Sequence, residues 1–302
     1  MIDGTLLDVA EIAVPRSART MAQRALSAED FAKYEAVRLH RIVYASAGRR
    51  IHGFLALPAA TAERLPAVIF NRGGSGPRGA LSAEGAMQTI GLYAAWGYVG
   101  VASNYRGVGG SEGTEEWGAG DTDDALALLP FLNSLDYVDE DRLGLVGGSR
   151  GGMMAFQMLA ATHQFRAAVT FGAPTMISRE KAEAYIRRTM VDHLPAEILG
   201  SHQAVQHEAE RRSVLQWAEQ LCRTTPLLLL HGTGDRRVPA EHALQLAMRL
   251  QELEHPYKLI MYDNADHVLA GRRNESNADI RWWLDTYVMR ISPLPRTGPH
   301  GA

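Results

Sequence analysis

The sequence predicts an α/β protein, with helices covering both faces of a mostly parallel, doubly wound sheet. Short, continuous apolar runs recur at 67–70, 98–103, 143–146, 167–171, 227–230 and 257–262. Runs of this kind suit strands buried on both faces, as in a parallel sheet. Helix-length segments lie between them, near 82–96, 121–134, 151–162, 240–253 and 275–290. Alternating strands and helices imply right-handed crossovers and a layered architecture. The chain has 302 residues, 46% of them apolar and 22% charged, which is enough to build one sizeable core.

Before this alternation, residues 1–38 read as a helical extension. Ser27-Ala28-Glu29-Asp30 looks like a capping box, and Phe31, Tyr34 and Val37 follow at helical spacing. Arg16, Arg19 and Arg24 form its solvated face. Segments 39–44 and 52–57, separated by a turn containing Gly48, predict an antiparallel hairpin. A single α/β domain then spans 39–302. Its rhythm breaks at about 175–225, where polar helical sequence (179–190 and 204–222) replaces any strand-like run. This stretch is read as a helical cap inserted over the carboxyl edge of the sheet, the alternative being a pair of ordinary crossover helices.

Composition excludes several partners. With 31 basic and 34 acidic residues the net charge is -3, so no excess of cations is available to neutralise nucleic-acid phosphates. No basic segment followed by an apolar core opens the chain, and no run is long enough to cross a bilayer. Cys222 is the single cysteine, which rules out an internal disulfide and a multi-cysteine zinc site. A cytoplasmic location follows as the expectation.

Gly147-Gly148-Ser149-Arg150-Gly151 fits Gly-x-Ser-x-Gly, with an apolar strand before it and a helical segment after it. In that setting the serine sits on a sharp strand-to-helix turn, the nucleophile elbow of an α/β-hydrolase fold. The turn presents Ser149 at a helix amino end, where the Arg150 N–H is an oxyanion donor. A glycine-cushioned helix cap is the bland reading of the same residues. A serine nucleophile needs a base and an orienting acid, in the chain order serine, acid, histidine. Two loops after strands supply them: Asp235 after 227–230, and His267 after 257–262. Asp263 and Asp266 are the rival acids. His231 is read as holding the acid loop, and His242 and His255 as surface residues.

The glycine-rich loop Asn71-Arg72-Gly73-Gly74 should provide the second oxyanion donor: the Gly73 N–H, the Arg72 N–H or the Asn71 side-chain amide, in that order. Neither this loop nor Gly107–Gly113 continues into Gly-Lys-Ser/Thr, so a phosphate loop is not indicated. The histidines and aspartates form no spaced metal-ligand set, and neither metal nor cofactor is expected.

His231-Gly232-Thr233 with Asp235 and Val238-Pro239, together with Ala265-Asp266-His267, resembles the prolyl oligopeptidase (S9) catalytic domain and its dienelactone-hydrolase-like relatives. Asn104-Tyr105-Arg106-Gly107, Trp117-Gly118, Asp121 and Asp124 extend the similarity across roughly residues 50–290. The resemblance implies Ser149 as nucleophile, Asp235 as acid and His267 as base, acting on short peptides or related amides. Two departures weaken proline specificity. Gly148 and Arg150 flank the serine where that family places Trp and Tyr, and 302 residues leave no room for a β-propeller. The alternatives are a carboxylic ester hydrolase with the same triad and a hydrolase-like binding protein. Substrates should be small molecules or short peptides. Arg72 and Arg150 either sit in structural ion pairs or face the pocket, where they would favour a carboxylate.

Overall fold

The computed structural model describes residues 1–59, 63–177, 180, 184, 190 and 193–298. The chain opens with β1 (Leu6–Ile12), α1 (Arg16–Ala25) and α2 (Ala28–Glu35), the last capped by the Ser27 hydroxyl, which accepts from the Asp30 N–H. The hairpin β2 (Arg38–Ser46) and β3 (Arg49–Leu57) follows, then β4 (Leu65–Asn71) and the single turn α3 (Gly76–Gly79). A helical stretch runs from α4 (Ala83–Ala86) through a π turn at Met87–Gly91 into α5 (Leu92–Ala95), and leads to β5 (Val99–Ser103). Next come α6 (Gly120–Leu126), α7 (Leu128–Asn133), β6 (Val138–Gly148), α8 (Arg150–Ala161) and β7 (Phe165–Phe171). Short helices α9 (Ala196–Leu199) and α10 (His202–Glu210) precede β8 (Leu227–Gly232). The chain ends with α11 (Glu241–Glu252), β9 (Tyr257–Tyr262) and α12 (Arg273–Leu284).

The strands form one sheet in the order β1-β2-β3-β5-β4-β6-β7-β8-β9. Pairing is antiparallel from β1 to β5 and parallel from β5 to β9. The two-residue alternation of strand side chains divides the core. Ile69, Val101, Leu145 and Leu229 face α6, α7, α8 and α11, whereas Val68, Phe70, Val146 and Leu228 face α1, α2, α5 and α12. All six residues of β8 are buried, which is why its sequence shows no polar alternation. No described helix is long and apolar enough to cross a membrane.

The amino-terminal extension departs from expectation. Residues 1–38 are not wholly helical: Leu6–Ile12 is an edge strand paired with β2, from Ile12 opposite Leu39 to Leu6 opposite Tyr44. Main-chain bonds hold it while most of its side chains stay exposed, Val9 by 47%, so burial leaves no periodic trace in the sequence. The segment 121–134 is two helices rather than one, because Pro130 cannot donate to the Leu126 carbonyl and its ring crowds that turn.

Between β7 and β8, the described residues contain helices and 3-10 turns but no strand. Most of 179–190 lies outside the described residues. The rest of the segment is tied to the 114–118 loop, since Arg212 donates to the Trp117 and Glu116 carbonyls at 2.9 and 3.0 Å.

Asp124 joins the hairpin to the loop after β5. Its fully buried carboxylate accepts from Arg106 Nε and Nη2, both at 2.9 Å, from the Arg106 N–H at 2.8 Å and from Ser46 Oγ at 2.7 Å. Tyr44 Oη donates to its carbonyl at 2.7 Å. Removing one partner of a buried pair strands the other charge, at a cost of about 3–5 kcal/mol. Asp124→Ala should therefore lose that much in urea unfolding at neutral pH, whereas the exposed neighbour Asp123→Ala should change stability by less than about 0.5 kcal/mol.

Candidate active site

Ser149 lies between β6 and α8 with φ 53° and ψ -124°, a strained conformation for a residue with a Cβ. Packing enforces it. A Cβ on Gly151 would come within 2.0 Å of the Asn71 carbonyl oxygen, and one on Gly148 within 2.3 Å of the Phe171 ring. The Ser149 N–H donates to the Phe171 carbonyl at 2.9 Å, and the Ser149 carbonyl accepts from Gly152 and Met153. The elbow is thus locked between β4, β6 and β7, with its hydroxyl lifted to the carboxyl edge of the sheet.

His267 Nε2 lies 2.9 Å from Ser149 Oγ, and its Nδ1 lies 2.7 Å from Asp235 Oδ2. The other Asp235 oxygen accepts from the Arg237 and Val238 N–H groups at 2.8 and 3.0 Å. These bonds fix the acid in the turn after β8. His231 Nε2 sits 2.9 Å from the Val238 carbonyl, so it carries the proton there and ties the same loop. The rival acids are engaged elsewhere. Asp263 pairs with Arg272 at 2.7 Å, and Asp266 Oδ1 accepts from Val268 and Ala270 N–H groups. His255 is buried rather than on the surface, with both ring nitrogens 3.1 Å from carbonyls of Pro256 and Cys222. His242 is also partly buried, its Nδ1 accepting from the Thr175 N–H at 3.0 Å. Burial lowers the pKa of both imidazoles. Neither was visible as an interior residue, because the helix end and tight turn that carry them read as polar.

The candidates for oxyanion donors separate. Arg150 is the first residue of α8, so its N–H has no acceptor in the preceding turn. Gly73 lines the cavity over the serine, and a Cβ there would meet Ser149 Cβ at 3.0 Å. The Asn71 amide does not reach the site. It is the last residue of β4, and strand alternation turns it inward, where Nδ2 lies 3.1 Å from Met158 Sδ. The Arg72 side chain is buried and donates to the Asn104 carbonyl, whereas the candidate donor at this position is its main-chain N–H.

Arg72 and Arg150 meet at Glu115, a residue the sequence reading did not single out. Glu115 Oε1 is 2.6 Å from Arg150 Nη1 and 3.6 Å from Arg72 Nη2, while Oε2 accepts from the Gly76 N–H at 2.7 Å. Both guanidinium groups also lie over the Tyr105 ring, at 4.6 and 5.3 Å. Burial and the neighbouring Arg150 charge lower the Arg72 pKa to about 10. These arginines therefore brace the elbow and its facing loop. They do not present a charge to substrate, which closes the pocket-facing alternative for both.

A cavity of about 420 Å³ opens over Ser149 and His267. Phe70, Leu81, Tyr93, Phe171 and Ile280 give it apolar walls, a lining suited to a small organic substrate.

A family model described as the prolyl oligopeptidase family (Peptidase_S9) matches residues 85–289. The chain is similar to the uncharacterized peptidase YtmA of Bacillus subtilis (strain 168), 30% identical over 242 residues, covering 79% of this chain and 89% of that one. It is 32% identical over 188 residues to the uncharacterized peptidase YuxL of the same organism, covering 59% of this chain and 28% of that one. Among solved structures, a Mycobacterium tuberculosis puromycin-hydrolyzing peptidase superimposes with a TM-score of 0.67 at 23% identity, over 80% of this chain and 38% of that one. The chain thus spans most of the first relative but little more than a quarter of the second.

Burial alone would raise the Glu115 pKa, yet Arg150, the Gly76 N–H and Arg72 outweigh it and hold the carboxyl below its ordinary 4.5. A carboxylate depressed in this way contributes stability above its ordinary pKa and loses it as pH falls through the folded-state value. Glu115→Gln should cost about 3–5 kcal/mol at neutral pH. Urea titrations at successive pH values should show the parent losing stability below pH 4.5 more steeply than this variant; parallel profiles would contradict the assignment.

Proposed function

This chain belongs to the prolyl oligopeptidase family and is a serine hydrolase, and from that premise we propose that it cleaves short peptides or related amides through an acyl-enzyme on Ser149. The observation that carries the reading is the His267 imidazole, bridging Ser149 Oγ and Asp235 Oδ2 at 2.9 and 2.7 Å. In this mechanism His267 Nε2 takes the hydroxyl proton as Ser149 attacks the scissile carbonyl. Asp235 holds the ring in the tautomer with Nδ1 protonated and stabilises the imidazolium that forms. The Arg150 and Gly73 N–H groups receive the developing oxyanion. His267 then returns the proton to the departing amine, and water repeats the sequence on the acyl-enzyme.

The segment between β7 and β8 serves in this reading as the cap that restricts entry to small molecules and short peptides. Arg212 ties the segment to the loop at 116–117, while no described residue of the segment lines the cavity over Ser149. A carboxylic ester is the second reading. It is favoured by the neighbours of the nucleophile, since Gly148 packs on Phe171 and the Arg150 side chain is buried on Glu115. Neither gives the serine an aromatic flank to select a peptide side chain.

A panel of esters, aminoacyl amides and short peptides tests the proposal. Amide hydrolysis should be measurable and should fall by about 10³–10⁶-fold in Ser149→Ala; turnover of esters alone would favour the second reading, and turnover surviving the substitution would contradict both. Asp235→Asn should keep the fold and lower kcat by about 10⁴-fold, because the imidazole is then held in the wrong tautomer. Asp263→Asn and Asp266→Asn should stay within a few-fold of the parent, and a larger loss in either would move the acid into the histidine loop.

A further inference from the structure

The cavity over Ser149 is rimmed by Arg78, Arg237 and Arg273, and no aspartate or glutamate is among the described residues that line it. We infer that this rim selects substrates bearing a carboxylate on the portion seated in the cavity, such as short acidic peptides; the inference rests on the acyl-transfer reading of Ser149.

The three side chains come from distant parts of the chain. Arg78 is in α3, Arg237 follows the acid turn and Arg273 opens α12. All three are exposed, and none makes an ion pair among the described residues. Their neighbours behave differently. Arg72, Arg150 and Arg212 are buried and face Glu115 or Glu208, and Arg272 is held by Asp263 and Glu275. Arginines with structural tasks in this region are bonded to carboxylates; those on the rim are not, and only Arg237 acts on one, Asp266, from a distance.

The carboxylates nearest Arg273 are engaged elsewhere: Asp263 and Glu275 pair with Arg272, and Asp279 accepts from Tyr262 Oη. The Asp266 pKa is lowered by the Ala270 and Val268 N–H groups first, with Arg237 a smaller influence. Glu84, which is not among the lining residues, accepts from Gln88 Nε2 at 3.3 Å. Ser276, Asn277 and Ile280 extend the face begun by Arg273, so the first turns of a twelve-residue helix line the same wall. Its positive amino end adds to the field of the arginines. An apolar floor under a cationic rim fits an acyl or leaving group with an apolar body and an anionic end. Guanidinium and carboxylate match in shape, which makes arginine the suitable cation for that end.

Matched substrates test the inference: short peptides with Glu or Gln on each side of the scissile bond, and hemisuccinate against butyrate esters. At low ionic strength, the carboxylate member should exceed its neutral partner in kcat/KM by about tenfold in at least one arrangement. Molar salt should shrink that ratio, because exposed charges are screened. Arg78→Gln and Arg273→Gln should each reduce it, and the double variant should bring it near one. Glutarate should inhibit neutral-ester turnover competitively in the parent and more weakly in the double variant. A ratio near one in the parent, with Ser149-dependent turnover of the neutral substrates intact, would overturn the rim's role while leaving the mechanism standing. A ratio untouched by the arginine substitutions would do the same. Absence of any Ser149-dependent turnover would instead overturn the mechanism, and the inference with it.

Discussion

The approach of β4, β6 and β7 to the turn at Ser149 is the constraint on which the rest of the site depends. Gly147, Gly148, Gly151 and Gly152 stand where no Cβ fits, and through them the serine is forced to φ 53° at the edge of the sheet. Strain of this kind costs about 1–3 kcal/mol and persists only where the surroundings over-determine it. Here they do, through backbone bonds from Ser149 to Phe171, Gly152 and Met153. The hydroxyl is consequently delivered to one place, and the loops after β8 and β9 have a fixed target to converge upon.

Buried charge supports that arrangement from below. Glu115 gathers Arg72 from the glycine-rich loop and Arg150 from the elbow, so the two segments that would frame an oxyanion share one counter-ion. Asp124 similarly binds Arg106 and Ser46, holding the loop after β5 to the hairpin. In a low-dielectric interior such groups are costly singly and stabilising in complete sets. The motifs around Asn104–Gly107 and Trp117–Asp124 thus have a structural account: they build the platform under Ser149.

The parallel strands were legible because burial on both faces leaves continuous apolar runs, as in β5 and β8. Ser149, Asp235 and His267 were legible as candidates because each directly follows such a run. β1 was not, since its pairing is made by the main chain and its side chains remain in water. The Asn71 amide, the third-ranked oxyanion candidate, points inward, because sequence places a residue at a strand end without telling which face the pleat gives it. Glu115 and the arginines at 78, 237 and 273 are brought together only by tertiary structure, and no local spacing announces them.

The geometry at Ser149 should make this one hydroxyl nucleophilic. Reaction with a fluorophosphonate, followed by intact-mass measurement and peptide mapping, tests it most directly. A single adduct per chain is expected, located on Ser149 and absent from His267→Ala. An adduct on another serine, such as Ser75 or Ser111, or undiminished labelling without His267, would contradict it.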